Sequence, residues 1–146
     1  MILPTQDYEY PHYGLKEDRD LNYEEKENLL RILKMCDGII LPGGCKIYYY
    51  DKFIAKYSLD NDIPILGICL GMQILASVDC ENEKVVEKID NGVNHKSEEE
   101  FAHKIILDKN SKLYDIVKNN EFMINSRHRC NVIKTNKFDI VRIFRR

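Results

Sequence analysis

The segment Gly67-Ile68-Cys69-Leu70-Gly71 constrains this chain more than any other. An apolar run, 63–68, enters it, and a helical pattern, 70–78, leaves it. A strand-to-helix turn this sharp needs glycine two positions before and after its centre, because neighbouring Cβ atoms would otherwise collide. The central residue is pushed out at the C-terminal edge of a sheet, where α/β folds place their ligands. Here that residue is a cysteine at a helix start, and the positive end of the helix dipole favours the thiolate. Cys69 is therefore a candidate nucleophile, and the backbone N–H of Leu70 a candidate donor to a developing oxyanion. A GxCxG pattern alone also fits a cysteine that is simply buried, so its neighbours decide.

Those neighbours alternate between helix and strand. Asn22 followed by Glu25 has the form of a capping box. Leu29, Ile32, Leu33 and Cys36 then recur at helical spacing, and Asp37-Gly38 ends the pattern. Ile39-Ile40-Leu41 reads as a buried strand closed by Pro42-Gly43-Gly44. If the two strands are adjacent, this turn presents backbone N–H groups beside Cys69. Residues 46–59 read as a second helix, with Tyr49, Phe53, Ile54 and Tyr57 at helical spacing. Tyr48-Tyr49-Tyr50 reads either as a binding platform or as core packing, and the spacing favours packing. Gln73 falls one turn into the helix after the elbow, within reach of a bound substrate.

Residues 1–21, with Tyr8, Tyr10 and Tyr13, read as loop, and 79–100 as a long charged loop. Strand-like runs follow at 104–107, 122–125, 132–133 and 140–144, with a helical turn at 113–117. Helix–strand alternation of this kind predicts one α/β domain over 1–146: a three-layer sandwich with a mostly parallel, flavodoxin-like central sheet.

Charge and cysteine content narrow the function. A formal net charge of -2 gives no basic excess for nucleic acid. The closing Arg142, Arg145 and Arg146 and the run Glu98-Glu99-Glu100 read as solvated. No apolar run approaches the roughly 20 residues that span a bilayer, and the first residues lack the pattern of a secretory signal. Five cysteines without a CxxC pair, Cys36, Cys45, Cys69, Cys80 and Cys130, read as reduced thiols in a cytoplasmic protein. Cys45 reads as a bystander, and Cys36, Cys80 and Cys130 as structural. His95 and His103 are too far apart in sequence for a usual metal-ligand pair, so no metal site is expected and both read as loop residues at a substrate mouth.

The stretches 37–44 (DGIILPGG) and 63–73 (IPILGICLGMQ), with Asn94-His95, His103 and Asn125-Ser126-Arg127-His128, resemble class I glutamine amidotransferases. Within that superfamily they are most similar to the γ-glutamyl hydrolase and γ-glutamyl-γ-aminobutyrate hydrolase branch. The resemblance implies a γ-glutamyl thioester on Cys69, oxyanion donors at Gly44 and Leu70 beside Gly43, and contact of Gln73 with the glutamyl substrate. It places His128 beside the substrate, not as the family's base.

The family's base histidine and orienting glutamate lie in a His-Pro-Glu motif, and no such motif occurs here. The domain accordingly reads as incomplete at both ends. A cysteine nucleophile needs a proton acceptor, and of His12, His95, His103 and His128 the last is the best stand-in. The resemblance implies hydrolysis of a γ-glutamyl amide as the first reading. A glutaminase subunit that supplies ammonia to a partner synthetase is the second. A catalytically deficient binding or regulatory module is the third. Thiolate catalysis implies no cofactor. The expected partners are a small γ-glutamyl substrate or glutamine, with a homo-oligomer or a synthetase as the protein partner.

Overall fold

A computed structural model describes residues 20–44, 46–81, 83–89, 95, 97–139 and 142–143. Cys45, His12, Asn94, the N-terminal tyrosines and the last two arginines lie outside them. The fold is α/β, and the chain divides into two compact units, 1–75 and 76–146.

The first unit opens with α1 (Tyr23–Leu33). The Asn22 side chain accepts the Glu25 N–H, and the Glu25 carboxylate accepts the Asn22 N–H, each at 2.9 Å. The capping box is thus present as expected. Leu29 and Leu33 are buried, whereas Cys36 falls beyond the helix, which ends earlier than its apolar spacing suggests.

β1 (Ile39–Leu41) and β2 (Ile65–Gly67) pair in parallel, with Leu41 opposite Gly67. Both runs read as wholly buried strands, but only one face is covered. Leu41 is 4% exposed, while the facing pair Ile40 and Leu66 are 64% and 55% exposed. Between them runs α2 (Tyr49–Asp60), which buries Ile54, Ala55 and Ser58. Its aromatic residues are half-buried flanks of that stripe: Tyr48 and Tyr50 stack at 5.4 Å, and Phe53 on Tyr57 at 6.4 Å. Asp51 accepts the Tyr48 N–H at the helix start. Burial holds its carboxyl above the ordinary carboxylate range, and that hydrogen bond opposes the rise. After β2 comes α3 (Leu70–Asp79), within which the boundary between units falls.

The second unit contains a strand that the charged 79–100 stretch conceals. β3 (Val86–Lys88) pairs antiparallel with β6 (Cys130–Val132). Val86 and Val132 pack on a small core of Ala76, Cys80 and Val85. β4 (His103–Leu107) buries alternate residues, His103, Ile105 and Leu107, as a one-sided strand does. It lies between β5 (Glu121–Ile124) and β7 (Arg142–Ile143), antiparallel to both. The short α4 (Lys112–Val117), capped by Ser111, joins β4 to β5. Parallel pairing among the described residues is confined to β1 and β2.

One carboxylate secures the end of α3 in this unit. Asp79 Oδ2 accepts the backbone N–H groups of Asn136, at 2.5 Å, and Lys137, at 2.9 Å. The Asn136 side chain donates to the Asp79 carbonyl at 3.1 Å. Hydrogen bonds to a charged acceptor carry more than neutral ones, so Asp79→Ala is expected to lower stability by about 1–3 kcal/mol. The Glu83–Lys134 ion pair is exposed, where solvent screens it, and contributes less. Urea unfolding should therefore rank Asp79→Ala well below Glu83→Ala in midpoint. The reverse order would assign the anchoring to the ion pair.

Candidate active site

Cys69 stands at the apex between β2 and α3, exposed, with a free thiol. Its φ is 53°, in the left-handed region. A residue with a Cβ is held there only when its surroundings over-determine it, at a cost of roughly 1–3 kcal/mol. The surroundings here are hydrogen bonds on both sides. The Ile68 N–H donates to Leu41 O at 2.9 Å, the Gly71 N–H to Ile68 O at 3.0 Å, and the Gln73 N–H to Cys69 O at 3.3 Å. The turn is thus tied to β1 before it and to the first turn of α3 after it.

The flanking glycines permit this closeness. A Cβ on Gly67 would lie 2.6 Å from the Gly71 carbonyl carbon and the Met72 nitrogen. A Cβ on Gly71 would lie 2.2 Å from the Leu41 carbonyl oxygen. Real Cβ atoms do not come so near to backbone, so the sequence reading of these two glycines holds in atomic detail.

The parallel pairing of β1 with β2 brings the Pro42-Gly43-Gly44 turn beside the elbow. A Cβ built on Gly43 would sit 3.3 Å from Cys69 Cβ and 3.9 Å from its Sγ. One built on Gly44 would sit 3.7 Å from Leu70 Cδ2. Leu70 is the first residue of α3, and the first N–H groups of a helix have no partner within it. Four sequence-derived candidates, Cys69, Gly43, Gly44 and Leu70, therefore meet at one place. Gln73 is half-buried, one turn further along the same helix. An exposed thiol, a glycine turn at contact distance and a helix N-terminus can together carry out nucleophilic attack on a carbonyl with stabilisation of the oxyanion.

His128 lies in the second unit, half-buried, in a cluster the sequence did not suggest. The rings of His95 and His103 meet edge to face at 4.6 Å, and those of His95 and His128 are tilted at 5.2 Å. His95 and His103 are buried, 4% and 9% exposed; His95 lies outside any helix or strand, as expected of a loop residue, whereas His103 does not. His103 opens β4, where the inward side of the strand buries it. The only advance signal was the alternation of His103, Ile105 and Leu107. Buried Ser126 binds His95 by its hydroxyl. No group of three or more His, Cys, Asp or Glu among the described residues is arranged to hold a metal ion. Among them, too, no helix is long and apolar enough to cross a membrane.

Comparison with known proteins bears on the same residues. A family model described as "Glutamine amidotransferase class-I" matches residues 12–144, across both units. CTP synthase of Lactobacillus acidophilus is 48% identical over 56 residues, 37% of this chain and 10% of that protein. CTP synthase of Lactiplantibacillus plantarum is 38% identical over 81 residues, 47% of this chain and 14% of that protein. Each match thus covers only a small fraction of the relative's length. A solved structure, "Trypanosoma brucei CTPS - glutaminase domain with bound acivicin", superposes with a TM-score of 0.58 at 22% identity. The superposition covers 76% of this chain and 51% of that one, and shows a shared fold. None of these relatives belongs to the γ-glutamyl hydrolase branch to which the sequence motifs point.

Proposed function

The chain belongs to the class I glutamine amidotransferase family, and from that membership we propose that it is a glutaminase module delivering ammonia to a partner synthetase. The observation that carries the reading is the exposed Cys69 thiol, held at φ 53° beside Gly43 and at the start of α3. The CTP synthase names of the relatives favour ammonia supply over hydrolysis of a larger γ-glutamyl amide.

In the proposed reaction the Cys69 thiolate attacks the side-chain amide carbon of glutamine. A C–S bond forms and the carbonyl oxygen becomes an oxyanion, which the N–H groups of Gly44 and Leu70 receive. Collapse breaks the C–N bond, and ammonia leaves with an added proton. Water then hydrolyses the thioester to glutamate and restores the thiolate. Gln73 contacts the glutamyl moiety. His128, which the resemblance sets beside the substrate, is our stand-in for the proton transfers. The four described cysteines are free thiols. A cytoplasm keeps thiols in that state, and a cytoplasmic setting is part of the proposal.

In a second reading the module captures a γ-glutamyl group without turning it over. One experiment separates the two. The purified chain is incubated with acivicin and, separately, with glutamine, and intact mass is followed together with glutamate and ammonia. A single acivicin adduct on Cys69 with glutamate release is the expected result. An adduct or a trapped thioester without release supports the capture reading. No modification of Cys69 by either compound sinks both.

A further inference from the structure

We infer that Lys46 is a specificity residue of the elbow: its ammonium, seated on the Tyr48 ring, binds the α-carboxylate of the γ-glutamyl substrate. The inference rests on the proposed attack of Cys69 on a γ-glutamyl amide. It goes beyond that reaction by naming the part of the substrate that is recognised and the side chain that recognises it. Every residue it uses lies in the first unit, 1–75.

Topology sets Lys46 at the same edge as the nucleophile. β1 and β2 run parallel, so the loop from β1 into α2 and the turn from β2 into α3 leave the sheet at one C-terminal edge. That edge is where α/β sheets bind ligands. Lys46 lies in the first of these loops, two residues after Gly44, and a Cβ on Gly44 would be in contact with Leu70. Two residues span at most about 7 Å, and a lysine stem of four carbons extends that reach. The α-carboxylate of a γ-glutamyl group stands about 5 Å from its amide carbon along extended C–C bonds. With the amide carbon at Cys69, that carboxylate falls on the scale of distance a lysine in this loop covers.

The ammonium is held in place before any substrate arrives. Lys46 Nζ stands 5.2 Å from the centre of the Tyr48 ring, and the face of an aromatic ring attracts a cation. Tyr48 in turn stacks on Tyr50 with the planes 1° apart, and Tyr49 meets Tyr50 edge to face at 5.2 Å. The Tyr48 N–H donates to Asp51 at 2.8 Å, and the Tyr49 hydroxyl donates to Glu25 at 3.4 Å. The pile is thus tied to α2 and α1, and residues 46 and 48–50 are half-buried. A lysine loses rotamer freedom when it grips a ligand, and one already resting on a ring has given up part of it. An ammonium also carries three donors, more than a ring face engages. The tyrosine run therefore serves as a platform as well as packing.

The test follows covalent labelling of Cys69 in the full chain, by mass mapping of the labelled peptide, with two electrophiles. Acivicin is an α-amino acid with a free carboxylate, and iodoacetamide has none. Lys46→Met keeps a stem over the ring and removes the charge. It is expected to lower the second-order rate constant for acivicin on the order of tenfold to a hundredfold, the scale of one charged hydrogen bond. The constant for iodoacetamide should scarcely change, and Lys46→Arg should recover most of the loss with acivicin. In the unaltered chain, glutamine should protect Cys69 from acivicin at a much lower concentration than glutamine α-amide does. Lys46→Met should erase that preference.

Equal losses with both electrophiles overturn the inference, since they mark a disturbed elbow and not a lost carboxylate contact. So does an acivicin constant that Lys46→Met leaves unchanged, or a preference for glutamine over its α-amide that survives in that variant. A Cys69 that acivicin labels without regard to Lys46 leaves the proposed function standing and removes only this inference. If acivicin leaves Cys69 of the unaltered chain unmodified, the proposed function fails and the inference falls with it.

Discussion

Cys69→Ala is expected to remove glutamate release from glutamine, a loss of at least about 10³-fold, while leaving the chain folded. The thiolate supplies the electron pair that forms the thioester, and nothing else at the elbow can replace it. The oxyanion donors are backbone groups of Gly44 and Leu70 and survive the change. They have no tetrahedral intermediate to stabilise once the nucleophile is gone. Stability should scarcely move, because Cys69 is exposed and alanine keeps the same Cβ at the same φ of 53°.

Cys69→Gly sharpens that prediction. Glycine adopts a positive φ without the steric cost, roughly 1–2 kcal/mol, that a Cβ meets there. Part of this gain is offset by the freedom glycine has in the unfolded chain. Cys69→Gly is therefore expected to unfold at a urea concentration equal to or above that of Cys69→Ala, with neither variant active. Such a result would identify the cysteine as a strained residue retained for chemistry. Turnover surviving in Cys69→Ala would point to a different nucleophile. A large fall in unfolding midpoint with alanine would make the thiol structural instead.

The elbow was legible in the sequence because its constraints are short-ranged. A strand, a tight turn and a helix within a few residues leave little besides glycine on either side of the apex, and the structure meets that demand at Gly67 and Gly71. The approach of Pro42-Gly43-Gly44 to Cys69 was legible once parallel pairing of the two apolar runs was assumed, and they do pair. What escaped depends on partners far along the chain. β3 has two charged residues among its three and is a strand because β6 lies beside it. The long charged loop expected at 79–100 therefore carries a strand instead. His95 gives no local sign of burial; it is held by Ser126, 31 residues away. Alternation across β1 and β2 was masked because their exposed positions, Ile40 and Leu66, are as apolar as their buried ones. The mostly parallel sheet was inferred from helix–strand alternation before the elbow, whereas the described strands after it pair as antiparallel ladders.

Gly71→Ala is expected to have the largest effect on stability of any single methyl added to the first unit. The added carbon would lie 2.2 Å from the Leu41 carbonyl oxygen and 2.7 Å from Leu41 Cβ. Neither neighbour yields easily. That oxygen accepts the Ile68 N–H at 2.9 Å, and the Leu41 side chain is 4% exposed in the core. Relief requires α3 to move off β1, which breaks the hydrogen bond that sets the elbow. Overpacking against mobile side chains costs typically 1–3 kcal/mol, and a clash with fixed backbone should reach or exceed the upper end of that range. Gly38→Ala is the matched control. It introduces the same methyl at the start of the same strand region, but its nearest neighbour is the Pro64 carbonyl at 3.4 Å, an ordinary contact. Urea unfolding should separate the two variants by about 3 kcal/mol or more, with Gly38→Ala close to the unaltered chain. The surviving folded fraction of Gly71→Ala should also react poorly with acivicin, because displacing α3 turns the Leu70 N–H out of the orientation that the elbow sets. If Gly71→Ala is as stable and as reactive as Gly38→Ala, helix and strand are not in the contact that defines the elbow, and the geometry assigned to Cys69 is wrong.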